Sequence, residues 1–238
     1  MNPIIEKAIE LWNKLIDKLN ELMDAINWIL GKIPWGLGWV GDKIREGWNW
    51  LMEKWGELVA WCDEYLNNPG SPSALSQAAQ NWNSQVGGPV SSQAGVIDAG
   101  QLTADDTWTG TAADAYKQAI APQKTAMDKI KTGLIEGMQQ ALDKMQTGII
   151  VFWTAFGAGV AACIAGFITA LASTATVLGA PAGPVIAAGA VIILIAALGG
   201  GALKLKGDIN SSKTILTGKL NDLSAFPNGS WPKATLAS

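Results

Sequence analysis

From Met145 to Leu203 the chain runs fifty-nine residues without a single Asp, Glu, Lys, Arg or His. Such a run must leave water, because apolar area stays exposed only at about 25 cal/mol per Å². Within it Thr147–Ser173 is apolar or small throughout. As a helix it would reach about 40 Å at roughly 1.5 Å per residue, against a bilayer hydrocarbon core of about 30 Å. Gly179-Ala-Pro-Ala-Gly-Pro184 reads as a turn, and Val185–Leu203 adds nineteen residues, just enough to span again. Two spans and a short turn make a helical hairpin that satisfies its own backbone and can exist in lipid.

Small residues suit close packing of the two arms. Ala155, Gly159, Ala162, Gly166 and Ala170 form one side of the first, and Gly189, Ala196 and Gly200 one side of the second. Trp153 stands near the start of the first arm, where an indole can anchor at the headgroup level. Lys129, Lys131 and Lys144 precede the hairpin and Lys204, Lys206 and Lys213 follow it, so insertion during synthesis would keep both ends cytoplasmic. The uncharged turn would also cross a bilayer cheaply from outside. The opposing reading is a soluble bundle in which the hairpin is a permanently buried central pair.

The rest of the composition excludes more than it assigns. A net charge of −3 with no basic stripe argues against nucleic acid, whose phosphates need clustered Lys or Arg. The absence of histidine removes the commonest general base and metal ligand. Cys62 and Cys163 lack Cys-x-x-Cys spacing and read as packing residues, with a disulfide between them the other option. No metal ligand set, cofactor motif, Gly-x-Ser-x-Gly or phosphate loop is present, so no catalytic residue is assigned and the expectation is a non-enzyme. Adjacent Asp105 and Asp106 read as acids favoured by a helix dipole. The N-terminal segment alternates acids with lysines and is not expected to act as a secretory leader.

Residues 4–30 predict a helix. Ile5, Ala8, Trp12, Leu15, Leu19, Leu22, Ile26 and Ile29 advance by threes and fours along one face. Gly31-Lys32-Ile33-Pro34-Trp35-Gly36 breaks it. A second helix over about 41–66 carries Ile44, Trp48, Leu51, Trp55, Leu58 and Cys62, and the short connection implies an antiparallel hairpin. Trp39, Trp50 and Trp61 recur every eleven residues on a different face of this helix. A second layer of the bundle, a protein partner or a lipid headgroup belt would each explain them.

Asn67-Asn-Pro-Gly-Ser-Pro-Ser73 is a linker by its turn chemistry. A third helix follows, with Ala74, Leu75, Ala78, Trp82 and Val86. Gly87-Gly88-Pro89 interrupts or kinks it, and a weaker pattern runs through Val96, Ile97 and Leu102 to end near Asp105-Asp106. After Trp108-Thr-Gly110, Thr111 and Asp114 have capping-box spacing, and Pro122 should kink the next helix or delay its start. That helix carries Tyr116, Ile120, Met127, Ile130, Leu134, Ala141 and Met145.

The polar helix around Gln80–Trp82 and the stretch Asp105-Asp-Thr-Trp-Thr-Gly-Thr-Ala-Ala-Asp-Ala-Tyr116 together resemble the WXG-motif family of type VII secretion substrates over about residues 72–145. The resemblance implies a helical hairpin in which Trp108 packs at the turn and Gly110 lets the chain reverse. The family's export signal, a Tyr with an acid four residues on, is not matched at Tyr65 or Tyr116, which are followed at that spacing by Pro69 and Ile120.

These features predict an all-α fold, a helical bundle of long antiparallel helical hairpins. The expected segments are a Trp-rich amphipathic hairpin over 1–66, a linker over 67–73, a WXG-like helix-turn-helix over 74–146, the apolar hairpin over 147–203, and a helix with an irregular tail over 204–238. Two functions fit. One is a membrane-associated protein, secreted without a cleaved leader, that inserts its hairpin into lipid and oligomerises with its own copies into a pore. The other is a non-pore-forming interaction protein: a resident membrane subunit, or a building block assembling with itself, a helical partner or the secretion machinery.

Overall fold

A computed structural model describes residues 2–97 and 107–233. The chain is all-α, and no strand occurs among the described residues. The helices are α1 (Pro3–Leu30), α2 (Gly38–Asn67), α3 (Pro72–Trp82), α4 (Gly88–Val96), α5 (Thr111–Lys129), α6 (Glu136–Ser173) and α7 (Ala182–Leu220). One π-helical segment, Asn83–Gly87, separates α3 from α4, and another, Ile130–Ile135, separates α5 from α6. Leu102 and the Asp105-Asp106 helix end lie outside the described residues. The chain divides into two compact units, Met1–Ser71 with Gly148–Lys206, and Pro72–Thr147 with Gly207–Ser238, so both divisions after residue 100 fall within α6 and α7.

In the first unit α1 begins at Asn2, whose side chain accepts the Ile4 N–H at 3.0 Å, with Pro3 in the first turn, where its missing N–H costs nothing. All eight residues of its apolar stripe, from Ile5 to Ile29, are buried. The α2 stripe is buried at Ile44, Leu51, Trp55, Leu58 and Cys62. Trp48 is only half-buried, and Gly47 holds the covered position beside it. A Cβ at Gly47 would stand 3.3 Å from both Pro184 Cβ and Val185 Cγ2, so the close approach of the apolar hairpin's turn requires a small residue there. Trp12 and Trp55 stack at 5.7 Å and 8°, joining α1 to α2. Trp12 then meets Phe156, and Trp55 meets Phe167, on the hairpin.

The hairpin turns through residues 174–181, and α7 starts at Ala182, with Pro184 in its first turn. The two arms are antiparallel. Gly166 faces Ala190, Gly159 faces Leu194 and Ala197, and Gly201 faces Phe152 and Ala155. Their buried positions are Phe152, Trp153, Phe156, Val160, Cys163, Phe167 and Ala170 on α6, and Ala187, Ala188, Val191, Leu194 and Leu198 on α7. These join the α1 and α2 stripes in one core. Cys62 and Cys163 are both free and buried, and burial pushes the Cys62 thiol up to about 12, which leaves it inert at neutral pH.

In the second unit Pro89 has no N–H to offer the carbonyl four residues back, and the π segment Asn83–Gly87 lies directly before the Gly88-Pro89 pair. The two π segments touch where a Cβ at Gly87 would be 3.1 Å from Ile135 Cγ2. The spacing of Thr111 and Asp114 predicts a capping box, and this is not formed. Gly110 (φ 103°) takes the cap position, and no side-chain cap bond is made. Thr111 is thereby the first helical residue, one place too late to cap. α5 starts eleven residues before Pro122 and runs through it, so the proline does not delay its start.

The C-terminal part of α7 runs antiparallel to α5 and α6. Ser212 Oγ donates to the Ala141 carbonyl at 3.1 Å, Lys219 Nζ to the Thr132 carbonyl at 3.3 Å, and Lys129 pairs with Asp222. Gln123 Nε2 donates to the Pro232 carbonyl at 3.3 Å. That pairing with Lys129 holds the Asp222 carboxyl down to about 2.

Candidate membrane-contact surface

The first unit has two chemically different sides. On α1 and α2 the solvent side is charged and laced with ion pairs one helical turn apart, including Lys14–Glu10 at 2.8 Å, Lys18–Glu21 at 2.6 Å and Lys43–Glu46 at 2.6 Å. On the hairpin the side turned away from α1 and α2 is uncharged and exposed. It carries Val151, Ile168, Ile192 and Ile193, with alanines between them. Two helical runs, Thr111–Ser173 and Ala182–Leu220, are long and apolar enough to cross a membrane, and only 33% and 28% of their most apolar windows is buried. A soluble core helix would be covered on most sides. Here the amphipathic pair covers one side alone.

The small residues divide between these sides. Gly159 and Gly166 lie against α7, and a Cβ at Gly166 would come 2.5 Å from Ala190 Cβ, so only glycine permits this approach. Ala155 lies beside Gly201. Ala162 is exposed, whereas Ala170 is buried. Across the interface α7 presents Ala190, Leu194, Ala197 and Gly201. Gly189, Ala196 and Gly200 are one residue out of that register. Cβ atoms at Gly189 and Gly200 would meet nothing within 4 Å, and Ala196 is exposed. In the arm-to-arm contact of α7 the expected stripe is therefore replaced by its neighbour, because one residue turns the helix by about 100°.

The tryptophans also divide. Trp39 and Trp50 are exposed, and Trp50 lies beside Pro181 and Val185 of the hairpin. Trp61 is half-buried, stacked on Tyr65 at 4.6 Å and close to Phe152. Trp153 is buried, and its indole N–H donates to the Pro69 carbonyl at 2.8 Å. Its place is thus in the core, tying the linker to the first arm. A hydrogen bond satisfies the polar end that an interfacial anchor would show to water. In the second unit Trp108 is exposed and tilts against Tyr116 at 5.6 Å, and Gly110 takes the positive φ that glycine adopts without strain.

An apolar groove of about 540 Å³ runs between α1 and the first arm, lined by Ile4, Ala8, Leu11, Gly157, Ala158 and Ala161 among others, with Lys7 at its edge. Its floor is the seam along which α1 meets the hairpin. Among the described residues no group of three or more His, Cys, Asp or Glu could hold a metal ion. The exposed Trp28 and Trp35 join Trp39 at the α1–α2 connection, and the eleven-residue Trp spacing does not pick them out. Their signal lies in the carboxylate-free stretch around the turn. No protein family, curated protein or solved structure matches this chain.

Proposed function

We propose that this protein is a conditional membrane-inserting protein whose hairpin, residues 147–203, enters a bilayer after α1 and α2 swing off its covered side. The observation that carries this reading is the one-sided cover. One face of the hairpin is already bare and uncharged, and the other, built on Phe152, Phe156, Val160 and Phe167, would be equally at home in lipid once uncovered. The departing α1–α2 pair keeps an apolar stripe and a charged face, the pattern of helices that lie in a membrane interface. Gly189, Ala196 and Gly200 face outward, at a spacing that lets helices from other copies approach closely, and this supports assembly into a pore. The resemblance around Trp108 and Gly110 supports delivery by a type VII route.

A staple tests the mechanism. Ala8 Cβ lies 3.7 Å from the position of a Cβ at Gly157, within the roughly 3.5–4.5 Å range of disulfide-bonded cysteines. The Ala8→Cys/Gly157→Cys protein, with Cys62 and Cys163 replaced by Ala, should release no dye from vesicles when oxidised and regain release on reduction. Equal leakage in both states would refute the swing-off mechanism. A second reading, a non-leaking assembly subunit, draws on the same outward small residues, which would pack against another copy. It predicts no dye release in either state and a concentration-dependent increase in sedimentation.

A further inference from the structure

The two hairpins of the first unit turn at the same end. Gly47 packs on Pro181, Pro184 and Val185 beside the apolar turn, while Trp61 and Tyr65, at the other end of α2, pack on Phe152 at the start of the first arm. Ala8, early in α1, faces Gly157, early in the hairpin. The α1–α2 connection therefore lies at the end where the hairpin turns through residues 174–181.

That end differs in charge from the rest of α1 and α2. Residues 1–66 carry eleven Asp and Glu, yet between Asp24 and Asp42 there is none, and Lys32 is the only charged residue. The hairpin turn has no charge and exposes Leu178 at 72%. The connection instead holds three exposed indoles, Trp28 at 62%, Trp35 at 103% and Trp39 at 58%. The exposure of Trp35 has a local cause. Leu37 N–H bonds the Pro34 carbonyl at 3.1 Å, closing a turn whose third residue, Gly36, has φ 97°. Trp35 is thereby held at the apex, clear of the core. Lys32 Nζ stands 5.8 Å from the Trp28 ring.

Three indoles held in water are costly, whereas the headgroup layer takes both the ring and its N–H. Lys32, with no carboxylate within seven residues of it along the chain, suits a surface of phosphate headgroups. The one carboxylate beside Pro181 in the pocket there, Glu46, is already paired with Lys43 at 2.6 Å. We infer that the end formed by Trp28, Lys32, Trp35 and Trp39 with the 174–181 turn is a docking tip for a lipid bilayer surface. It seats the protein so that the uncharged turn enters first. The inference rests on the membrane reading above and adds where contact is made and which end leads.

The oxidised staple separates docking from insertion, because it can dock but cannot open. It should float with vesicles of equal phosphatidylglycerol and phosphatidylcholine. Trp28→Ser/Trp35→Ser/Trp39→Ser in the same background should lower partitioning at least about thirty-fold with unchanged thermal unfolding. Trp231→Ser, a control at an exposed indole of the second unit, should change it less than about two-fold. Lys32→Gln should cost about five-fold on these vesicles and nothing on pure phosphatidylcholine. Undiminished flotation of the triple variant, or an equal loss from Trp231→Ser, overturns the tip. If the stapled parent floats through its tip but the unstapled protein never releases dye, insertion fails and the tip stands. If the unstapled triple variant leaks like its parent, the tip fails and insertion stands.

Discussion

The two hairpins of the first unit have much in common: each is a pair of long antiparallel helices, and each gives one face to a shared core. They differ in what they show to the outside. On α1 and α2 the outer face carries paired Lys and Glu between its few exposed apolar side chains, so the pair can stand in water with its apolar stripe folded away. On the 147–203 hairpin the outer face is as apolar as the inner one. An element that is amphipathic can cover a neighbour. One that is apolar all round must be covered, and here the cover is half complete. The half-exposed hairpin is the part of the fold on which the proposed membrane entry rests.

The comparison is broken most severely at Trp12, which stacks on Trp55 and also meets Phe156 of the hairpin. Trp12→Ala should cost about 3–5 kcal/mol in urea unfolding, and it should also accelerate dye release if the stack holds the cover down. Next in size is a charge on the bare face. Ile193→Lys should leave unfolding within about 0.5 kcal/mol in water yet cost about 2.5–3.5 kcal/mol in transfer to the bilayer. Leakage should therefore collapse while stability does not, and a parallel loss of both would mean that the bare face is not a lipid face.

Glycines on the two sides of the hairpin sharpen the contrast. Gly166→Ala, whose Cβ would stand 2.5 Å from Ala190 Cβ, should destabilise by about 1–3 kcal/mol. Gly189→Ala, on the open side, should stabilise by up to about 1 kcal/mol through helix propensity. Chemical denaturation of the two variants decides whether the arms meet as described. The smallest effect lies in the second unit. Asp222 is held down to about 2 by Lys129, below its usual value of 3.8. The stability it adds is complete above pH 4 and fades as pH falls through about 2. Asp222→Asn should abolish that fraction of the acid dependence, measured as the unfolding midpoint between pH 5 and pH 2.

How legible each part was depends on whether its side chains alternate in character. α1 could be read residue by residue, since apolar and charged positions alternate at helical spacing and only one face can be buried. The α2 stripe was nearly as clear, and Gly47 took the covered place beside Trp48 because a distant turn presses there. The register of α7 could not be read. Gly189, Ala190, Ala196, Ala197, Gly200 and Gly201 are all small, so several phases of close contact look alike. The π segments also left little local trace beyond Gly88-Pro89. They depend on how two helices meet at Gly87 and Ile135.

By itself the sequence determined that the chain is helical, that α1 and α2 are amphipathic, and that residues 145–203 cannot be left bare in water without cost. Charge and periodicity are local properties, and these conclusions need nothing else. Only the tertiary structure decided that the cover is one-sided, that Trp153 lies in the core bonded to Pro69, and that three indoles share an end with the hairpin's turn. Each of these depends on which residues far apart in the chain become neighbours, and a run of uniformly apolar side chains gives no local preference among the possibilities.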